Sequence, residues 1–287
     1  MRLLTFEHQG QQRIGARTSN GIVDLNQADP NIPAQMRDFL AGGEASLQAA
    51  RSAAETSEHV LSDSEIHVCA PISNPDKVIC IGLNYADHAA ESGMPIPEEP
   101  VVFSKYPSAI IGPGDTIVAP SVSQQVDYEV ELVVVIGTSG RNIAKRDAMA
   151  YVAGYTVGHD VSARDYQLEK PAGQWMLGKT FDTFAPIGPD LVTPDEISDP
   201  HDLGIRCILN GQTVQESRTT QLIFNIDELI AYLSHVFTLS PGDLIFTGTP
   251  PGVGMARDPQ IWLKRGDTVV CEIDEIGRLE NPVETDG

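Results

Sequence analysis

Asp127, Glu129 and Glu131 recur at every second position ahead of and into Val130–Ile136, a run rich in β-branched residues that stops at Gly137. The run reads as a buried strand. Alternate side chains on a strand share a face. Three carboxylates crowded on one face of a core strand repel each other unless something positive lies between them. A hard divalent cation is one answer, because all-oxygen ligand sets suit Mg²⁺, Mn²⁺ or Ca²⁺. A solvated face paired with Lys or Arg is the other. Asp160 ends a second short strand from Gly154 to His159 and offers either a further carboxylate or a cap for the next turn. His88 and Glu91 lie three residues apart on a short helical stretch, and so on one face. Such a pair is either a chance neighbour pair on a surface helix or a general base whose carboxylate orients the ring.

The elements that must position these groups follow from local patterns. Residues 1–69 read as a small N-terminal α+β domain, with strand-like pieces before Asp24 and helices over Ile32–Leu40 and Ala45–Ala54. Residues 70–287 read as the catalytic domain. Within it, Ala144–Val152 suggests a helix, Asn210-Gly211 a hairpin turn, and Asn225–Phe237 an amphipathic helix with Ile226, Leu229, Ile230 and Leu233 inward. Trp175 and Met176 read as core, and His159 as a packing residue. The loop Thr247-Gly248-Thr249-Pro250 is rigid but lacks the ending of a phosphate-binding loop.

The formal net charge is −21, which argues against nucleic acid or an anionic membrane as partner. No run approaches the roughly 18 apolar residues of a membrane span. Cys69, Cys80, Cys207 and Cys271 are scattered without metal-like spacing and read as buried thiols in a reducing compartment. The N-terminus shows no apolar signal region, so a cytoplasmic location is the expectation.

EVE at 129–131, HDVSARD at 159–165 and LGKTFD at 177–182, in this order, resemble the fumarylacetoacetate hydrolase family over roughly residues 70–280. NYADHAAE at 84–91, FSKYPSAI at 103–110 and the TGTP loop at 247–250 extend the resemblance. It implies a mostly β, α+β fold, a mixed β-sandwich roll with a small N-terminal domain, assembled as a homodimer. It implies Glu129, Glu131 and Asp160 as ligands of Mg²⁺, with Mn²⁺ or Ca²⁺ as substitutes. Asp127, on the same face, is not carried over. His88 and Glu91 become a water-activating dyad on a lid, and Lys179 a stabiliser of developing negative charge. Lys105 falls near the site. Arg164 and Gln167 lie beside the substrate, and Thr249 offers its hydroxyl to the substrate carboxylate. The stretch Leu168–Pro171 lacks a tyrosine that some members use on substrate. The implied activity is hydrolysis of a C–C bond in acylpyruvates or other 2,4-dioxo acids through a metal-bound enolate. The alternative is tautomerisation or decarboxylation of oxaloacetate, or isomerisation of unsaturated 2-oxo dicarboxylates. HDVSARDYQ and GKTFDTF are closest in wording to animal members linked to oxaloacetate tautomerisation. A metal-stabilised binding protein without catalysis is the third reading, and it would have no use for His88 and Glu91.

Overall fold

Seven consecutive residues, Val130–Ile136, are fully buried. The strand is paired on both edges, antiparallel to Val152–His159 and to Leu244–Phe246. A strand enclosed in this way reads as an unbroken apolar run, apart from Glu131 at its start. The computed structural model describes residues 1–92, 95–170 and 173–286, and only the backbone of 90–92.

Among the described residues, twelve strands join one mixed sheet. Its centre runs Ala185–Val192, Val152–His159, Val130–Ile136, Leu244–Phe246, Val78–Gly82, Val101–Lys105. Val78–Gly82 is parallel to Leu244–Phe246. The start of Val130–Ile136 therefore emerges on the same side as the ends of three neighbours: Val152–His159, Leu244–Phe246 and Val78–Gly82. A second sheet of five strands packs its Thr268–Ile273 and Gly277–Thr285 against Val152–His159 and Ala185–Val192. The expected α+β, mostly β class is the one observed.

The segment 1–69, read as a separate small domain, continues the large sheet. Arg2 and Leu3 pair with Val192 and Leu191, and Leu3 and Ile14 belong to the same apolar core as Val133 and Phe246. Its longer helices span Met36–Ala41 and Gly43–Thr56. The Asn210-Gly211 turn joins two antiparallel strands, with φ of 51° and 82°, the positive values a tight hairpin turn demands. Ile226–Val236 is helical, capped by Asn225 and Glu228, and buries the four apolar residues expected of it. The stretch after Ala144 is a 3₁₀ helix, Lys145–Tyr151, and not the α-helix expected.

Candidate active site

Glu129, Glu131 and Asp160 converge, one carboxylate oxygen of each lying within 4.8 Å of the others. Glu131 is the second residue of the central strand, and Asp160 follows directly on the neighbouring one. The Asp160 N–H donates to the Glu129 carbonyl at 2.9 Å, which clasps the two strand ends together. The expected ladder of three acids on one strand face does not form. Pairing lapses at Tyr128 and Glu129, and Asp127 belongs to a two-residue strand, Val126–Asp127, paired with Ser162–Ala163. Alternation holds only while the ladder is continuous. Asp127 instead accepts from Arg164 Nε at 2.8 Å and from the Gly254 and Met255 amides at 2.6 and 3.1 Å.

Three buried cations surround the acids. Arg164 donates from Nε to Asp127, from Nη2 to Glu129 at 2.6 Å and from Nη1 to Gln167 Oε1 at 2.9 Å. All three of its nitrogens are committed within the protein, so it braces the site where substrate contact was expected. Lys179 Nζ bridges Glu129 at 2.6 Å and Asp160 at 2.9 Å, and lies 5.1 Å from the centre of the Phe103 ring. Lys105 also departs from the expectation of substrate contact. Its buried Nζ stands behind Asp160, 2.6 Å from Oδ1, and donates to the carbonyls of Val161, Phe184 and Lys179. It lies outside the lining of the cavity.

Four carboxylates face three cations in this cluster, leaving one net negative charge when all are ionised. The imbalance falls on Glu131. Its Oε2 accepts from the Gly248 N–H at 2.7 Å, and no ion pair reaches it among the described residues. Burial pushes its carboxyl well above the usual range, and Asp160 and Glu129 push it further. Burial would raise Glu129 too, but Lys179 and Arg164 hold it well below. Burial lowers His159 to about 3, so this ring is neutral and adds no charge. Asp160 Oδ1 is buried without an aligned hydrogen bond, despite the Lys105 ammonium beside it. Under-satisfied hard oxygens in a cluster short of positive charge fit a divalent cation.

A cavity of about 380 Å³ opens onto this cluster. Lys179, Gln167 and Thr249 line its inner part, Phe103, Trp175 and Met255 its apolar rim. Trp175, read from the sequence as core, lies against Gly82, where a Cβ would come within 2.5 Å of its ring. Thr249 does line the cavity, but its hydroxyl donates to the Val130 carbonyl and accepts from Gln215 Nε2, both at 2.9 Å. His88 enters from the helix Ala86–Ser92 with 9% of its surface exposed. The Glu91 side chain lies outside the described residues. Sequence reasoning missed Gln215 and the Gly248 amide. Only the loop's Gly-rich wording hinted at the second.

A mixed β-roll carries three clustered acids that could hold a metal ion, with a buried lysine and a histidine at the cavity wall, the arrangement of an enzyme's active site. The model for the fumarylacetoacetate hydrolase C-terminal domain matches residues 77–284. The chain belongs to the fumarylacetoacetate hydrolase family and is an enzyme of it, a hydrolase or a tautomerase/isomerase. It is 55% identical to the Xenopus laevis protein named oxaloacetate tautomerase fahd2, mitochondrial, over 99% of this chain and 90% of that one. The structure of a putative HpcE protein from Mycobacterium smegmatis superposes with a TM-score of 0.91 at 43% identity, covering all of both chains. Maleylpyruvate hydrolase from Sphingobium, solved with manganese(II) and pyruvate, superposes at 0.84 and 29% identity, also over both whole chains. The cytoplasmic expectation is overturned, because the Xenopus relative is named mitochondrial. Unpaired thiols speak to redox conditions and carry no address.

Proposed function

We propose that this enzyme interconverts the keto and enol forms of oxaloacetate, with Mg²⁺ held by Glu129, Glu131 and Asp160. The observation that carries this reading is the 55% identity, over 99% of the chain, to a protein named for that reaction. The hydrolysis of acylpyruvates, expected first from the family resemblance, gives way to it. The chemistry is a proton transfer: one proton leaves C3, one arrives on O2, and the carbon skeleton stays whole. When bound there, a cation would supply positive charge beside the 2-oxo oxygen. The chain's own residues do the rest. His88 takes the C3 proton and hands it to O2, and the reverse transfer restores the keto form. Lys179, already fixed by Glu129 and Asp160, gives its remaining N–H to the 2-oxo oxygen. Gln167 has its Oε1 occupied by Arg164 and so turns its amide N–H groups to a substrate carboxylate. Phe103 and Trp175 keep bulk water from the reacting carbon. A homodimer is part of the same reading, and sedimentation equilibrium decides it.

The test follows the loss of enol-oxaloacetate absorbance above the uncatalysed rate, with Mg²⁺ and then with EDTA, beside a parallel run on acetylpyruvate. The expected result is metal-dependent acceleration of the first and no cleavage of the second. Acetylpyruvate split to acetate and pyruvate, with the keto–enol rate unchanged, overturns the proposal.

A further inference from the structure

His88 and its neighbour Asp87 serve different cavities. His88 lines the cavity above the carboxylates, while Asp87 lines a second one of about 520 Å³ together with Ser217 and Arg218. The Asp87 carboxylate makes two bonds there. Its Oδ1 accepts from the His88 N–H at 3.0 Å, and its Oδ2 accepts from the Ser217 hydroxyl. One side chain thus ties the first turn of the Ala86–Ser92 helix to the strand Gln212–Arg218. A helix of seven residues has little stability of its own, so its placement depends on such outside contacts.

The same strand also reaches the carboxylate cluster. Gln215 lies two residues before Ser217, on the same face, and is buried. Its Oε1 accepts from the Val130 N–H at 2.9 Å, between Glu129 and Glu131. Its Nε2 donates to Thr249 Oγ1 at 2.9 Å and to the Pro250 carbonyl at 2.8 Å. A strand advances roughly 3.3 Å per residue, so these two anchor points stand about 7 Å apart on backbone that does not stretch. The hairpin partner Gly204–Leu209 is in turn paired with Thr268–Ile273, deep in the second sheet.

We infer that the strand Gln212–Arg218 sets the distance between the His88 helix and the carboxylate cluster, and that Ser217 is a positioning residue for His88, acting through Asp87. The inference rests on the proton-transfer role given to His88 above. Gln215 holds the metal-side end of the ruler and Ser217 the helix end. Losing the Ser217 hydroxyl frees the helix start while the cluster stays braced by Arg164, Lys105 and Gln215. Proton transfer then slows, because the ring spends less time over the substrate carbon. Substrate and cation binding, which use the other end, do not change.

The experiment compares the wild-type chain with Ser217→Ala and Ser217→Thr. It reads kcat and KM for oxaloacetate tautomerisation, Mg²⁺ affinity by calorimetry, and hydrogen exchange of the amides at 86–89. In Ser217→Ala, exchange at those amides is expected to rise about tenfold or more, the scale of one lost hydrogen bond to a charged group. The kcat value falls by about tenfold, with KM and Mg²⁺ affinity held within about twofold. Ser217→Thr keeps the hydroxyl on a strand-favouring side chain and restores both exchange and kcat. Unchanged exchange in Ser217→Ala overturns the inference, and so does a loss of Mg²⁺ affinity that runs in step with kcat. Failure of the wild-type chain to tautomerise oxaloacetate sinks the functional reading alone, since exchange at 86–89 still decides whether Ser217 holds the helix.

Discussion

Lys105→Met separates a structural lysine from a substrate-binding one. The Lys105 side chain has no exposed surface, and neither has that of Asp160. Methionine has similar length but no donor. The change leaves Asp160 Oδ1 without its cation and takes the donor away from the carbonyls of Val161, Phe184 and Lys179. Removing one partner of a buried ion pair costs about 3–5 kcal/mol. Each orphaned carbonyl adds a penalty on the order of 1 kcal/mol or more, though the terms do not simply add. Asp160 keeps Lys179 on its other oxygen at 2.9 Å, which holds the loss toward the lower end. A loss of about 4 kcal/mol is a large share of the ~5–15 kcal/mol that holds a typical domain together. At roughly 2–3 °C per kcal/mol for a chain of this size, Tm falls by about 10 °C. The assay is thermal unfolding followed by circular dichroism in EDTA, so that bound cation does not enter, alongside steady-state kinetics. A variant that melts within about 2 °C of the wild type but shows a raised KM refutes the reasoning and returns Lys105 to the substrate.

Chelation should abolish turnover and Mg²⁺ restore it, while the melting temperature of the EDTA-treated protein climbs with Mg²⁺, by the equivalent of about 2.7 kcal/mol at a hundred times Kd. Glu131→Gln should melt higher than the wild type without metal, because the carboxyl it replaces is pushed up by burial and two neighbouring acids. The same variant should lose most of the Mg²⁺-dependent gain, and paired melting curves with and without Mg²⁺ check both halves. Gly178→Ala places a Cβ 2.4 Å from the Gln167 backbone nitrogen and 2.7 Å from the Ala163 carbonyl oxygen, neither of which can swing away. Overpacking of this kind costs about 1–3 kcal/mol and shifts Lys179, so both Tm and kcat should fall.

Local pattern reached some parts of this protein and stopped at others. The strand Val130–Ile136, the Asn210-Gly211 turn and the helix after Asn225 announce themselves, because a few adjacent residues determine each. The choice of Glu129, Glu131 and Asp160 came through the family resemblance, since local pattern offered Asp127 on equal terms and left Asp160 as either a ligand or a cap. Two lie on one short segment, and the third ends the strand that pairs with it. Asp127, left outside the ligand set, is joined to Glu129 through Arg164, though nothing in the wording marks the break in pairing at Tyr128 and Glu129. The partners of Lys105 lie 55 to 79 residues further along the chain. A lysine beside the site and one behind it read alike until the chain is folded. Trp175 gave no sign of which it was, since a cavity rim and a core ask for the same aromatic surface. The union of the first strand with Ala185–Val192 is another long-range pairing that neither segment advertises.

The site divides its cations by position. Lys105 stands behind the acids, spent on one carboxylate and three carbonyls, while Arg164 faces the cavity with all three nitrogens already bonded within the protein. Lys179 and Arg164 both pair with the acids and line the cavity, whereas Lys105 lies outside its lining. With three cations against four carboxylates, the cluster is one positive charge short of balance, and the shortfall falls on Glu131, whose carboxyl burial holds well above the usual range. With all four acids ionised, a divalent ion there would turn a net charge of minus one into plus one, in a setting where water screens little. On the function proposed above, the cation would therefore bind before the anionic substrate. On the same proposal, a chain with a formal charge of −21 would draw its anion through a few buried ångströms at the cation and not through its surface.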